Sequence, residues 1–141
     1  MTRINLVEPH QLTDKHLMAE YRELPRIFTA VLKLQAQGKT PADVTIPDHY
    51  VLGKGHVKFF YDKIPWLRLR YVVLERELVR RKFNLDETLF NEVCINTLTI
   101  ELHWCRDYRP RHEDIYLNIV RLCKRSNIPS VAEELYQKET P

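Results

Sequence analysis

The chain has 141 residues, of which 44% are hydrophobic and 29% charged, with a formal net charge of +3. These values favour one soluble domain over residues 1–141, and the small positive charge is only a hint of nucleic acid binding. The three glycines cannot build a phosphate-binding glycine loop, and the three cysteines show no CxxC spacing, which argues against a disulfide framework or a zinc knuckle. We find no signal peptide and no apolar run that could span a bilayer, so a cytoplasmic protein with reduced cysteines and no membrane partner is expected.

The first predicted helix runs from Asp14 to Ala36, with Thr13 as its N-cap. Pro25 lacks an amide proton and predicts a kink within it. The core stripe of this helix recurs at helical spacing and consists of Leu17, Tyr21, Leu24, Phe28 and Val31. Residues 37–55 hold two prolines and all three glycines, and they predict a long irregular connection.

A second helical region covers residues 56–63 and then Pro65 to about Lys82. Its apolar side chains point nearly all round the helix, which predicts a central position. Phe59 and Phe60 could form a stacking platform for bases, but we expect them to fill the core.

The later part of the chain is less regular. Residues 84–110 contain "CINTLTIEL", which is compatible with either a strand or a short helix. A third helix is predicted from His112 to Lys124, and "SVAEELYQK" predicts a last short helix. The pattern as a whole predicts an all-α, compact single domain of about three main helices with long irregular connections.

The stretch "AEYRELPR", residues 19–26, places charged side chains opposite the core stripe. On a helical wheel, Arg22, Glu23, Arg26 and His16 fall on one side, with the small Ala19 among them. Two interpretations remain open: a solvated surface, or a face that binds anions around an acid.

The start of the chain, "MTRIN", offers a second reactive group. If Met1 is removed, as is common before a small residue, Thr2 carries a free α-amine. Such an amine has a reference pKa of about 7.7–8.0, against about 10.4 for lysine, so it is a ready nucleophile that can form an imine. If Met1 is retained, this nucleophile is blocked.

Taken together, "MTRINL" and "HLMAEYRELPR" at this separation resemble the phage-type pyrimidine-dimer DNA glycosylases with AP-lyase activity, the endonuclease V family. The resemblance continues in "LGKGHVKFFYDK" and more loosely in "RDYRPRHEDI". It implies a compact all-helical domain with the N-terminal segment threaded between helices, and a monomer. It also implies catalysis without a metal or cofactor, on double-stranded DNA that contains pyrimidine dimers or abasic sites.

The same resemblance implies roles for individual residues. The amine of Thr2 would attack C1′ of the damaged nucleotide, and Glu23 would be the catalytic carboxylate. The residues that would bind DNA or support the site are Arg3, His16, Arg22, Arg26, Arg121 and Arg125. For Arg121 and Arg125 a second interpretation is open, because cations also favour the C-terminal end of a helix.

Further features of the sequence bear on a metal site and on the range of lesions. His103, Cys105 and His112 match no metal-ligand spacing, so no metal site is expected. The C-terminal "SVAEELYQKETP" is net acidic, whereas the best-known form of the family has a basic aromatic tail, which bears on the range of lesions. Two alternatives to a dimer-specific enzyme remain: the same imine chemistry on another lesion or on abasic sites alone, and a helical DNA-binding module without catalysis.

Overall fold

The computed structural model describes residues 3–125, apart from the side chain of Arg125. This range contains helices and irregular connections but no β-strand, which confirms the all-α class. The helices are α1 (Asp14–Glu23), α2 (Pro25–Ala36), α3 (His56–Phe59), α4 (Ile64–Arg80), α5 (Glu87–Thr97) and α6 (His112–Arg125). The last short helix predicted from "SVAEELYQK" lies outside the described residues.

The first predicted helix is two helices that meet at Leu24. Thr13 is the N-cap of α1, as predicted, and its hydroxyl oxygen accepts a hydrogen bond from the His16 amide at 3.3 Å. Pro25 is the first residue of α2, where its missing amide proton costs nothing because the first helical amides have no acceptor inside the helix. The kink expected at Pro25 is therefore a boundary between helices.

Helix α4 is amphipathic, which corrects the expectation that its apolar residues are buried all round. Leu67, Leu74 and Leu78 are buried, whereas Leu69 is 65% exposed and Val79 is 53% exposed. The inner face makes room for two charged side chains as well, since Arg70 and Glu77 are also buried.

The segment "CINTLTIEL" is not a strand, because residues 94–97 complete helix α5 and residues 98–101 form an irregular turn. Asp86 caps α5 by accepting a hydrogen bond from the Leu89 amide at 3.0 Å, and the helix continues to Thr97. A short 3-10 turn, Leu102–Trp104, then places Trp104 in the core with no exposed surface.

The core is formed by side chains of α1, α2, α3, α4 and α6 together with the N-terminal segment, and α5 packs against it with partly buried side chains. The predicted stripe of α1 and α2 is buried throughout, and Phe59 and Phe60 fill the core as expected. Tyr21 of α1 stacks on Tyr71 of α4 with ring centroids 5.0 Å apart. Among the residues described, we find no helix that is both long enough and apolar enough to cross a membrane.

Candidate functional site

The outward face of α1 and the start of α2 carry the predicted acid and arginines. Arg22 and Arg26 are exposed, and Glu23 between them is half-buried. Within residues 3–125, none of the three makes an ion pair or a side-chain hydrogen bond. Ala19, one turn before Glu23, is exposed and adds little bulk. This face therefore holds a carboxylate and two guanidinium groups whose hydrogen-bonding capacity is available to a ligand.

The other residues predicted at this end of the chain are only partly described. Thr2 lies outside the described residues, so the position of its amine is not part of this structure. His16, on the first turn of α1, is half-buried. Arg3 is also half-buried, and its Nη1 is enclosed without a hydrogen-bond partner among residues 3–125.

The segment that follows Arg3 is held by side chains and not by helix or sheet bonds. The Ile4 amide donates to Nε2 of His56 at 2.9 Å, and the Ile4 carbonyl accepts from the Tyr50 hydroxyl at 3.0 Å. Ile4 has no exposed surface. We call this pair of contacts the Ile4 clamp.

Asn5 carries the next set of contacts. Its Nδ2 donates to Oε1 of Glu20 in α1 at 2.8 Å, and its Oδ1 accepts from Nδ2 of Asn118 in α6 at 2.8 Å. Oδ1 of Asn118 in turn accepts from the amides of Leu6 at 2.6 Å and Val7 at 3.2 Å. Main-chain groups that are removed from water must find partners, and here the side-chain oxygen of Asn118 accepts from two of them.

A buried ion pair joins α1 and α4 behind this segment. Arg70 donates from Nε and Nη2 to the two carboxylate oxygens of Glu20 at 2.7 and 3.0 Å, and from Nη1 to the Val7 carbonyl at 2.6 Å. The two side chains are 5% and 1% exposed. The bidentate geometry satisfies both charges and fixes α1 against α4 and the N-terminal segment.

His56 reaches Ile4 because of the turn before α3. Gly55 has φ of 91°, and a Cβ there would lie 3.1 Å from Cγ of Pro47. The ring nitrogen Nδ1 faces the Val51 carbonyl at 2.8 Å and must donate to it, so Nε2 is the acceptor for the Ile4 amide. Burial lowers the pKa of His56, the hydrogen bond to the Val51 carbonyl raises it in part, and the charges of Arg121 and Arg3 lower it. The resulting pKa of about 4 keeps this ring neutral.

The basic stripe expected on α6 is not exposed as a whole. Arg121 is buried and donates from Nη2 to Oδ1 of Asn5. This guanidinium packs inside the protein against the N-terminal segment, and the contact with DNA that the resemblance implies for Arg121 stays a prediction. Lys124 is exposed, and for Arg125 the structure describes only the helical backbone.

An open cleft of about 710 Å³ lies next to the N-terminal segment. Leu6 and Glu8 form one side, and Arg109, Arg111 and His112 contribute to the other. The described residues contain no group of three side chains that could hold a metal ion.

The buried polar network was missed when the sequence was interpreted, although it left a signal. Glu20 lies within the core stripe of α1, three residues after Leu17 and four before Leu24. Arg70 and Asn118 likewise interrupt apolar spacing on α4 and α6. A charge at a core position is almost always paired, so Glu20 and Arg70 could have been recognised as partners.

Fold and site together define a small helical protein in which Glu23, between Arg22 and Arg26, lies at the end of α1. The same helix anchors the N-terminal segment through Glu20. Residues 1–91 match the model of a family described as pyrimidine dimer DNA glycosylase. The chain belongs to this family, which confirms the resemblance found in the sequence. It is therefore a DNA repair enzyme, an N-glycosylase that acts on DNA containing pyrimidine dimers.

Proposed function

We propose that the protein breaks the glycosidic bond of one base of a cyclobutane pyrimidine dimer through the α-amine of Thr2 and then cuts the strand as an AP lyase. The amine nitrogen attacks C1′ and loses a proton, and the C1′–N bond to the base breaks, so that the base takes up a proton and stays joined to its neighbour through the cyclobutane ring. The C1′–O4′ bond then opens, O4′ is protonated, and the sugar becomes an iminium. Loss of a proton from C2′ and cleavage of the C3′–O bond complete the β-elimination. Water finally releases the sugar fragment and restores the amine.

Glu23 is the carboxylate in this proposal. Its negative charge stabilises the sugar cation that develops as the base leaves. After the imine has formed, the same carboxylate accepts the proton from C2′. The observation that carries this assignment is that Glu23 is half-buried between exposed arginines and has no partner within residues 3–125.

Arg22 and Arg26 hold the DNA backbone on either side of this carboxylate. Guanidinium groups bind phosphate oxygens in a bidentate manner and position a strand without reading its sequence. His16, Arg3 and Arg125 are further DNA contacts in this proposal.

The anchoring of Asn5 supports a place for the amine near Glu23. Asn5 is bonded to Glu20, and Glu23 follows one turn later, a rise of about 4.5 Å along α1. Asn5 is three positions after Thr2, and three residue steps of extended chain reach about 10 Å. The amine is therefore within reach of the acid.

The test is borohydride trapping with protein whose N-terminal residue is verified as Thr2 by mass spectrometry. We expect a covalent adduct with duplexes carrying a pyrimidine dimer or an abasic site, and none with undamaged DNA. Thr2→Leu is the matched control, because methionine is retained before a large residue and the amine is then displaced by one residue.

The outcomes separate the competing functions. An adduct with abasic DNA alone identifies a lyase without dimer activity, and DNA binding without any adduct identifies a non-catalytic binding module. An adduct mapped to a lysine instead of the N-terminal peptide contradicts the role of Thr2.

A further inference from the structure

We propose that His56 and Tyr50, the two side chains of the Ile4 clamp, are positioning residues for the N-terminal amine. This inference rests on the proposed function, since the clamp matters for catalysis only if the amine is the nucleophile. Neither side chain is expected to touch DNA, because His56 is 1% exposed and Tyr50 has no exposed surface.

The clamp holds the last fully buried peptide before the reactive end of the chain. Ile4 is two residues from Thr2, and both its amide and its carbonyl are bonded to side chains. The partners are themselves fixed: the His56 ring is bonded to the Val51 carbonyl and packs edge-to-face on Tyr50 at 5.3 Å. The main-chain groups of Ile4 are thus held by the irregular connection and α3, whereas the next residue, Asn5, is bonded to Glu20 of α1.

The two reactive groups, the amine and the Glu23 carboxylate, are positioned by different parts of the fold. Glu23 is placed by α1, whereas the amine is placed by a segment clamped at Ile4 and anchored at Asn5. Effective catalysis requires the nucleophile at close approach to C1′, and a displacement of 1 Å can cost about a hundredfold in rate. A change at His56 should therefore alter the rate of imine formation and leave DNA binding alone.

Two substitutions at His56 separate its two hydrogen bonds. In His56→Gln the side-chain oxygen reaches the position of Nε2 and can still accept from the Ile4 amide. In His56→Asn the shorter amide can replace the Nδ1 donor to Val51 but cannot reach Ile4. The pair therefore differs in the contact to Ile4 while both keep a neutral polar side chain.

The measurement is the single-turnover rate of adduct formation on a saturating abasic duplex, with borohydride present, alongside the Kd for a non-reactive duplex. We expect His56→Asn to lower the rate on the order of tenfold to a hundredfold. His56→Gln should react at least several times faster than His56→Asn. The Kd of both variants should stay within about twofold of the unchanged protein.

A second variant keeps the test decisive if both His56 variants unfold. Tyr50→Phe removes a single oxygen atom and with it the hydrogen bond to the Ile4 carbonyl. We expect a slower adduct rate, by about threefold to tenfold, again with unchanged Kd. A Tyr50→Phe protein that reacts at the full rate overturns the clamp as a positioning device.

Matched controls exclude loss of stability as the cause. His49→Asn makes the same exchange at an exposed position of the same connection, and Ile64→Val perturbs the core at the start of α4. Both should form the adduct at the rate of the unchanged protein after folding is verified by circular dichroism.

The failures of the two proposals are distinguishable. If the unchanged, trimmed protein forms no adduct, the imine mechanism fails and the clamp has no catalytic role. If it forms the adduct and His56→Asn reacts as fast as His56→Gln, the imine mechanism stands and the positioning role of His56 is wrong.

Discussion

Two glutamates one turn apart on α1 have opposite environments. Glu20 is buried and bonded to Arg70 and Asn5, whereas Glu23 is half-buried and makes no ion pair with any described residue. Glu20 stabilises the fold, whereas the carboxylate oxygens of Glu23 are available to a ligand. Chemistry at this site therefore depends on the side chain that the fold does not use.

Glu23→Gln should keep DNA affinity and lose strand cutting. The amide retains the shape of the carboxylate but cannot stabilise a cation or accept a proton, and general base catalysis alone contributes about a hundredfold to ten-thousandfold. Incision of a dimer-containing duplex measures the effect, with Glu92→Gln on the exposed face of α5 as the control. Strand cutting that survives in Glu23→Gln contradicts the role given to this residue.

Arg22→Ala and Arg26→Ala should each weaken DNA binding and reduce its dependence on salt. The slope of log K against log salt is negative, and each lost phosphate contact makes it less steep by about 0.9. Titrations at several salt concentrations give this slope, and Arg76→Ala, an exposed arginine on α4, provides the comparison. A slope equal to that of Arg76→Ala would identify Arg22 and Arg26 as ordinary surface residues.

At the scale of elements, α1 and α4 are joined by one buried ion pair. Arg70→Met leaves the Glu20 carboxylate buried without its partner, and breaking such a pair costs about 3–5 kcal/mol of the free energy of unfolding. Arg80→Met on the same helix removes an exposed member of an ion pair with Glu77 and should cost much less, because solvent screens an exposed charge. Urea denaturation of the two variants measures the difference, and equal losses would mean that the Glu20–Arg70 pair contributes little.

The helices could be predicted where apolar spacing and capping agree. Thr13, the stripe from Leu17 to Val31 and the start of the last helix at His112 follow from local rules alone. Tertiary contacts decided the rest: α5 is a helix despite its β-branched stretch, and Leu69 is exposed because no element covers that side of α4 within the described residues.

The candidate site was only partly accessible from sequence. The acid and the arginines on one side follow from a helical wheel, because the chain keeps helical dihedral angles at Leu24, where α1 meets α2. The Ile4 clamp and the contacts of Asn5 join residues that lie 15 to 116 positions apart, and such pairings are invisible to local patterns.

For the molecule as a whole, His56 predicts a loss of stability in acid. Its pKa is about 4 in the folded protein and 6.5 as a reference, so the unfolded chain binds the extra proton first. Stability is therefore complete above pH 6.5 and falls as the pH drops toward 4, by about 3 kcal/mol for this shift.

Urea denaturation between pH 7 and pH 4 measures this loss. His56→Gln does not titrate and should show a smaller decrease over the same interval. The pKa of Glu77 is lowered to about 2 by its hydrogen bonds to Arg80 and Arg81, so its contribution to stability is lost only below pH 4.5. The losses of stability from His56 and from Glu77 can therefore be separated by pH. An equal decrease in both proteins would show that His56 is not buried as a neutral ring.

The bonds from Asn118 to Asn5, Leu6 and Val7 have a consequence for the order of assembly. Translation runs from the amino end, so Leu6 and Val7 leave the ribosome long before Asn118 in α6, the acceptor for their amides, has been made. Until nearly the whole described chain has emerged, the N-terminal segment has only its partners on α1, α3, α4 and the irregular connection. Complete docking is therefore a late event of maturation, and a nascent chain stalled before residue 118 should expose its amino end to an aminopeptidase more readily than the finished chain does.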